Sequence, residues 1–323
     1  MRGTAHSVVA LGGGHGLYAT LRALTRLLDD LTIDDLNAIV TIADNGGSSG
    51  RLRGEFGVLP PGDLRMALAA LCGEGEWGQT WARVMQHRFA GEGEMNGHAI
   101  GNLLIVGLWE LMGDHVRALD WVGRLLGARG RVLPMANEPL DITAHVRGLD
   151  ADPATTRVVR GQVEVATTEG TIASVALEPD QPAACPEAVE AVLNAEWVIL
   201  GPGSWYTSVI PHLLVPELRA ALEKTDARLV VVLNLEPQEG ETPDFGPEDH
   251  LGALWEHAPD LRVHTVLADP RSVAEPERLR DLFACSGARL HLADVGVAGE
   301  ARHDPVRLAT ALAAIFEAPH EGR

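Results

Sequence analysis

The residues best suited to chemistry crowd into one stretch, Ala43-Asp-Asn-Gly-Gly-Ser-Ser-Gly-Arg-Leu-Arg53, directly after the apolar run 37–42. A connection needs one or two glycines to turn, whereas this stretch joins three glycines to two serines, an acid and two arginines. Glycine lets backbone N–H groups approach an anion, serine adds donors and arginine adds charge. Asp44, Asn45, Gly46, Gly47, Ser48, Ser49 and Arg51 are therefore expected to hold an anionic ligand. Arg53 and Arg65 would thicken the positive charge there. A long surface loop with no ligand is the plain alternative.

Two further glycine elements stand where strands hand over to helices. Ser7–Leu11 leads into Gly12, Gly13, Gly14, His15 and Gly16, and leucines then recur at helical spacing from Leu17 to Leu31. That arrangement sets helix N–H groups and the positive end of the helix dipole over the turn. Trp197–Leu200 leads into Gly201-Pro-Gly203-Ser204, with Thr207 and Ser208 behind it, so this turn is expected to face the same crevice. Asn234 closes a strand from Arg228 and is placed to read a base or sugar edge. His98 and Asn102 open a helix that runs to Met112, with Gly101 and Gly107 signalling close approach of a ligand or a second helix.

Asp44 and Asp63 are the candidate acids. Two carboxylates at neighbouring strand ends could hold a magnesium ion that bridges phosphates. Asp44 could equally form a turn and Asp63 a helix cap. No residue can be assigned as catalytic beyond these two, because Ser204 lacks a flanking base and the Gly-x-Ser-x-Gly elbow is absent.

The elements that must position these residues are strands and helices in alternation, which predicts an α/β fold with a mainly parallel sheet in a Rossmann-like, three-layer core. The whole chain, 1–323, reads as one domain. Between about 130 and 180 the periodicity changes to two, which predicts an inserted antiparallel β segment with no chemistry of its own. Arg302-His303-Asp304 caps the last helix, and whether it reaches the ligand is open.

The 323 residues carry a formal net charge of −19, with 45 acids against 26 lysines and arginines. That balance excludes a general nucleic-acid binder, because phosphate backbones need a concentrated positive surface. Cys72, Cys185 and Cys285 are odd in number and form no Cys-x-x-Cys pair, so neither a disulfide framework nor a thiolate zinc site is indicated. No run reaches the ~18 to 20 apolar residues of a membrane span and no leader pattern opens the chain, so a cytoplasmic protein is expected.

Gly12-Gly-Gly-His-Gly16, Ala43–Arg53, Pro60-Pro-Gly-Asp63, His98 with Gly101-Asn102-Leu-Leu104, and Gly201-Pro-Gly-Ser204 with Thr207-Ser208 together resemble the bacterial gluconeogenesis factor family. That family belongs with the 2-phospho-L-lactate transferases. The resemblance implies a crevice for UDP-sugars, notably UDP-N-acetylglucosamine, and links to gluconeogenic growth, cell shape and peptidoglycan synthesis through protein partners. It also implies the alternative of a magnesium-dependent transferase acting on nucleotide-activated phospho-lactate. His15 stands where many members have threonine, and Asn45 where the usual pattern has a second aspartate. Asn45 removes a charge beside Asp44, which weakens a divalent site and favours direct hydrogen bonding to the ligand. A nicotinamide oxidoreductase would fit the first glycine turn only, and a homodimer is compatible with the sequence.

Overall fold

The computed structural model describes residues 6–318 apart from 151, 153, 154, 239 and 244. The first residues, on which the expectation of no leader rests, and the end of the chain lie outside the described residues. Among the described residues, ten strands and thirteen α-helices follow in order. They are β1 (His6–Gly12), α1 (Gly14–Asp29), β2 (Ile33–Val40), α2 (Gly47–Phe56), α3 (Pro61–Ala70), α4 (Glu76–Gln86), α5 (Ile100–Met112), α6 (His115–Leu126) and β3 (Arg131–Pro134). Next come β4 (Asp141–Arg147), β5 (Thr156–Arg160), α7 (Gln162–Ala166), β6 (Thr171–Glu178), α8 (Pro186–Asn194), β7 (Trp197–Leu200), α9 (Pro211–Leu214), α10 (Pro216–Lys224) and β8 (Arg228–Val232). The chain closes with α11 (Pro247–His257), β9 (Val263–Ala268), α12 (Pro276–Cys285), β10 (Arg289–Leu292) and α13 (Pro305–Glu317).

Seven of the strands form one parallel sheet in the order β10-β9-β8-β7-β1-β2-β3. Val8 to Leu11 and Val198 to Leu200 are almost wholly buried, as continuous apolar runs must be when helices cover both faces of a sheet. Right-handed crossovers place α1 and α10 on opposite faces, because the first leads away from β1 in one direction and the second away from β7 in the other. In α1 the buried leucines 17, 21, 24 and 28 make the inward stripe. Asp114 caps α6 by accepting from Arg117 N at 2.9 Å, and Gly127 ends that helix at φ 63°.

The inserted β segment differs from expectation in two ways. β3 is the outer strand of the main sheet, so the antiparallel insert consists of β5-β4-β6 alone. The segment is also not β throughout: β5 stops at Arg160 and α7 follows, because Gly161 at φ 104° turns the chain where a side chain would be strained.

Strand order reverses between β1 and β7. In an open parallel sheet, the carboxyl ends of the strands at such a reversal leave a crevice, and the turns after β1 and β7 both open into it.

Candidate functional site at the strand-order reversal

A cleft of about 480 Å³ lies at this point, walled by Gly13 to Gly16, Asp63, Gln162, Pro202 to Ser204, Ser208, the segment Asn234–Gln238, and Ala301 to His303. Its two glycine turns are built against each other. A Cβ on Gly16 would lie 2.1 Å from the Pro202 carbonyl oxygen and 2.8 Å from Gly203 Cα. Thr41 Oγ1 donates to Ser208 O at 2.9 Å and lies 3.2 Å from Gly12 O, which fastens both turns from below. Gly13, the residue before α1, supplies no side-chain cap; the Gly14 N–H faces Asp63, and the other first-turn N–H groups of this 16-residue helix are available to the cleft. Ser204 to Val209 turns through a single π-helical turn, a distortion common beside ligand sites.

Asp63 sits in the first turn of α3, not at its N-cap. Burial pushes its carboxyl up to about 7; the Asp44 carboxylate adds to the rise, while the Gly14 N–H and Arg65 oppose it. Asp44 is held by its own turn, accepting from Gly46 N at 2.8 Å through Oδ1, while its Oδ2 lies over Gly62. The two acids do not stand at neighbouring strand ends as expected: Asp44 follows β2, whereas Asp63 belongs to α3, close enough for the Asp44 carboxylate to raise it, with Asp63 on the cleft wall and Asp44 off it.

The sequence profile of the 2-phospho-L-lactate transferase CofD family matches residues 8–302. The chain belongs to the CofD family. The chain is 53% identical over 313 residues to the "Putative gluconeogenesis factor" of Mycobacterium leprae, covering 96% of this chain and 86% of that one. It is 35% identical over 282 residues to the "Gluconeogenesis factor" of Bacillus subtilis, covering 87% and 84%. A crystal structure of a UPF0052-family protein from Bacillus halodurans superposes with a TM-score of 0.82 at 30% identity, covering 95% of this chain and 98% of that one.

The stretch that looks most like a ligand loop, Ala43–Arg53, places no residue on the cleft wall. Of the candidate residues, Gly13, Gly14, His15, Gly16, Asp63, Gly203, Ser204, Ser208 and Asn234 line the cleft. Residues 47–56, however, form α2, so side chains adjacent in sequence leave in different directions. Ser48 Oγ is buried, accepting from Asn102 Nδ2 at 3.0 Å and from Ala99 N at 3.4 Å, and lies 3.0 Å from His98 Nδ1. This is a buried serine–histidine pair that the sequence does not reveal, and through Asn102 it pins α2 to α5. Ser49 packs over Gly62.

The convergence of positive charge expected from three arginines does not occur at the cleft. Arg51 donates to the Glu94 and Asn96 carbonyls at 3.0 and 2.7 Å. Arg53 pairs with Asp141 at 2.7 Å, and Arg65 lies buried against Gln86. Gly101 answers to a second helix, since a Cβ there would meet Arg65 and Met85. Gly12 and Gly201 support the turns, Gly46 and Gly47 begin α2, and Thr207 donates to the buried Glu241 at 2.6 Å. Asn234 spends its amide on Gly203 N, Gly203 O and Gln238 Oε1, each at 3.0 Å, so it clamps the turn and does not present a free reading edge.

The cleft residues that sequence reasoning missed are Gln162, Glu236 and Gln238, whereas Arg302 and His303, whose reach the sequence leaves open, do arrive there. Among the described residues, Arg302 is the one arginine or lysine on the cleft wall. His303 is held down to about 4 by burial, so it stays neutral at physiological pH.

Proposed function

We propose that the chain is a nucleotide-sugar binding factor whose ligand is UDP-N-acetylglucosamine, serving gluconeogenic growth and cell-shape control in the cytoplasm through protein partners in wall synthesis. The observation that carries this reading is the cleft itself. Two glycine turns and the first-turn N–H groups of α1 beyond Gly14 offer backbone donors to a diphosphate, Arg302, whose Nε donates to Glu300 Oε2 at 3.0 Å, offers its remaining guanidinium N–H groups, and the serine–histidine pair is buried elsewhere. The relatives named gluconeogenesis factors support a role in carbon metabolism. No helix among the described residues is long and apolar enough to cross a membrane.

Calorimetric titration with UDP-N-acetylglucosamine tests the reading. A saturable heat is expected, and none at near-millimolar ligand overturns it. Within that titration, Arg302→Ala weakens binding about tenfold, the lower end of the ~1.5 to 3 kcal/mol of a charged hydrogen bond. Arg51→Ala leaves affinity near the wild-type value, because its guanidinium is engaged with loop carbonyls.

A second reading, a magnesium-dependent transferase of the 2-phospho-L-lactate type, is favoured by the Asp44–Asp63 coupling and the family match. Two carboxylates that repel one another fit a hydrated magnesium ion completed by phosphate and water oxygens. They do not make a cage of protein ligands, and no group of three His, Cys, Asp or Glu suited to a metal occurs among the described residues. Asp44 and Asp63 would hold the ion, and its chemistry would be charge neutralisation at the phosphates. Asn45 adds nothing to the donor set, since its side chain faces Glu164 and Val163 N. Mass spectrometry after incubation with the deazaflavin precursor, guanylylated phospho-lactate and magnesium separates the two readings: product formation sinks the pure binding role.

A further inference from the structure

Among the described residues, the antiparallel insert reaches the cleft through α7. Its first residue, Gln162, stands on the cleft wall, and its Nε2 lies 3.5 Å from Thr207 O. The contact that holds α7 there comes from the start of the motif after β2. Asn45 Nδ2 donates to Glu164 Oε2 at 2.7 Å, and Asn45 Oδ1 accepts from Val163 N at 3.1 Å. The pair nests over Gly161, where a Cβ would lie 2.1 Å from Glu164 Oε2 and 2.4 Å from Asn45 Nδ2.

A carboxamide is the group this geometry requires. It offers an acceptor to a backbone N–H and a donor to a carboxylate at the same time. A carboxylate of the same shape could make only the first bond and would face Glu164 as a like charge.

We propose that Asn45 is a positioning residue that fastens α7, and with it the inserted sheet, against the cleft so that Gln162 meets the bound ligand. Asn45 thereby works through α7 and not by touching ligand or metal. The proposal rests on the nucleotide-sugar reading for the identity of that ligand, while the clamp itself is independent of it.

Two measurements on the full chain separate the parts: hydrogen exchange of the α7 amides without ligand, and titration with UDP-N-acetylglucosamine. Asn45→Asp is expected to speed α7 exchange and weaken affinity, each about tenfold, the scale of a lost charged hydrogen bond. Adding Glu164→Gln to Asn45→Asp removes the like charge and restores both. Melting curves near that of the wild type show that these variants fold. Unchanged α7 exchange in Asn45→Asp, or no recovery on adding Glu164→Gln, overturns the clamp. Faster exchange with unchanged affinity overturns its role in the cleft. A wild-type chain that gives no heat overturns the ligand reading, and the exchange arm still decides the clamp.

Discussion

Gly16→Ala is expected to lower the stability of the chain by about 3 kcal/mol, the upper end of what overpacking costs, and to remove the nucleotide binding proposed above. The added methyl would lie 2.1 Å from the Pro202 carbonyl oxygen and 2.6 Å from its carbon. Both are backbone atoms, so no rotamer change relieves the contact. The turn after β7 must move instead, and it is held by Thr20 Oγ1 donating to Gly201 O at 3.2 Å and by the Asn234 clamp on Gly203. Separating the two turns therefore breaks hydrogen bonds as well as geometry. Gly107→Ala is the control. Gly107 is exposed within α5, and a methyl group there would have nothing within 4 Å, so alanine is neutral or stabilises by up to ~1 kcal/mol through helix propensity. Chemical denaturation of both variants reads the difference, and a Gly16→Ala chain as stable as Gly107→Ala defeats the claim.

Much of this cleft is legible in the sequence because strand-then-glycine-then-helix is a local signature. Apolar runs ending at Gly12 and Leu200, each followed by a glycine turn, locate both walls without any long-range information. Side-chain direction is not legible. A segment with glycines at 46, 47, 50 and 54 has poor helix propensity, at roughly 1 kcal/mol per glycine relative to alanine, so it reads as a loop. Tertiary contact overrides propensity there: Gly50 lets the helix close onto the Asn45 carbonyl, where a Cβ would sit 2.0 Å from oxygen. Once α2 forms, Ser48, Arg51 and Arg53 leave it towards α5, the loop at 94–96 and Asp141 respectively. Arg302 and Gln162 carry no local signal, because each reaches the cleft only through sheet order and the packing of the insert.

Asp63→Asn flattens the pH dependence of stability and strengthens the fold at pH 8. The carboxyl of Asp63 is raised from 3.8 to about 7 by burial first and by Asp44 second. Between those values the folded chain keeps a proton that the unfolded chain has released, so stability falls as pH rises through the window. The contribution is fully present below pH ~4 and gone above pH ~7, with a ceiling of about 4 kcal/mol that water in the cleft reduces. Asparagine keeps an oxygen to accept from Gly14 N and has no charge to lose, so the wild-type and variant curves should converge at acid pH and separate above it. Denaturation midpoints from pH 4 to 8 make the comparison, and parallel curves sink the assignment. Magnesium added at pH 8 gives a further sign. On the transferase reading, an ion held by Asp44 and Asp63 would relieve their repulsion and raise the wild-type midpoint, while Asp63→Asn, with one carboxylate left, would respond less.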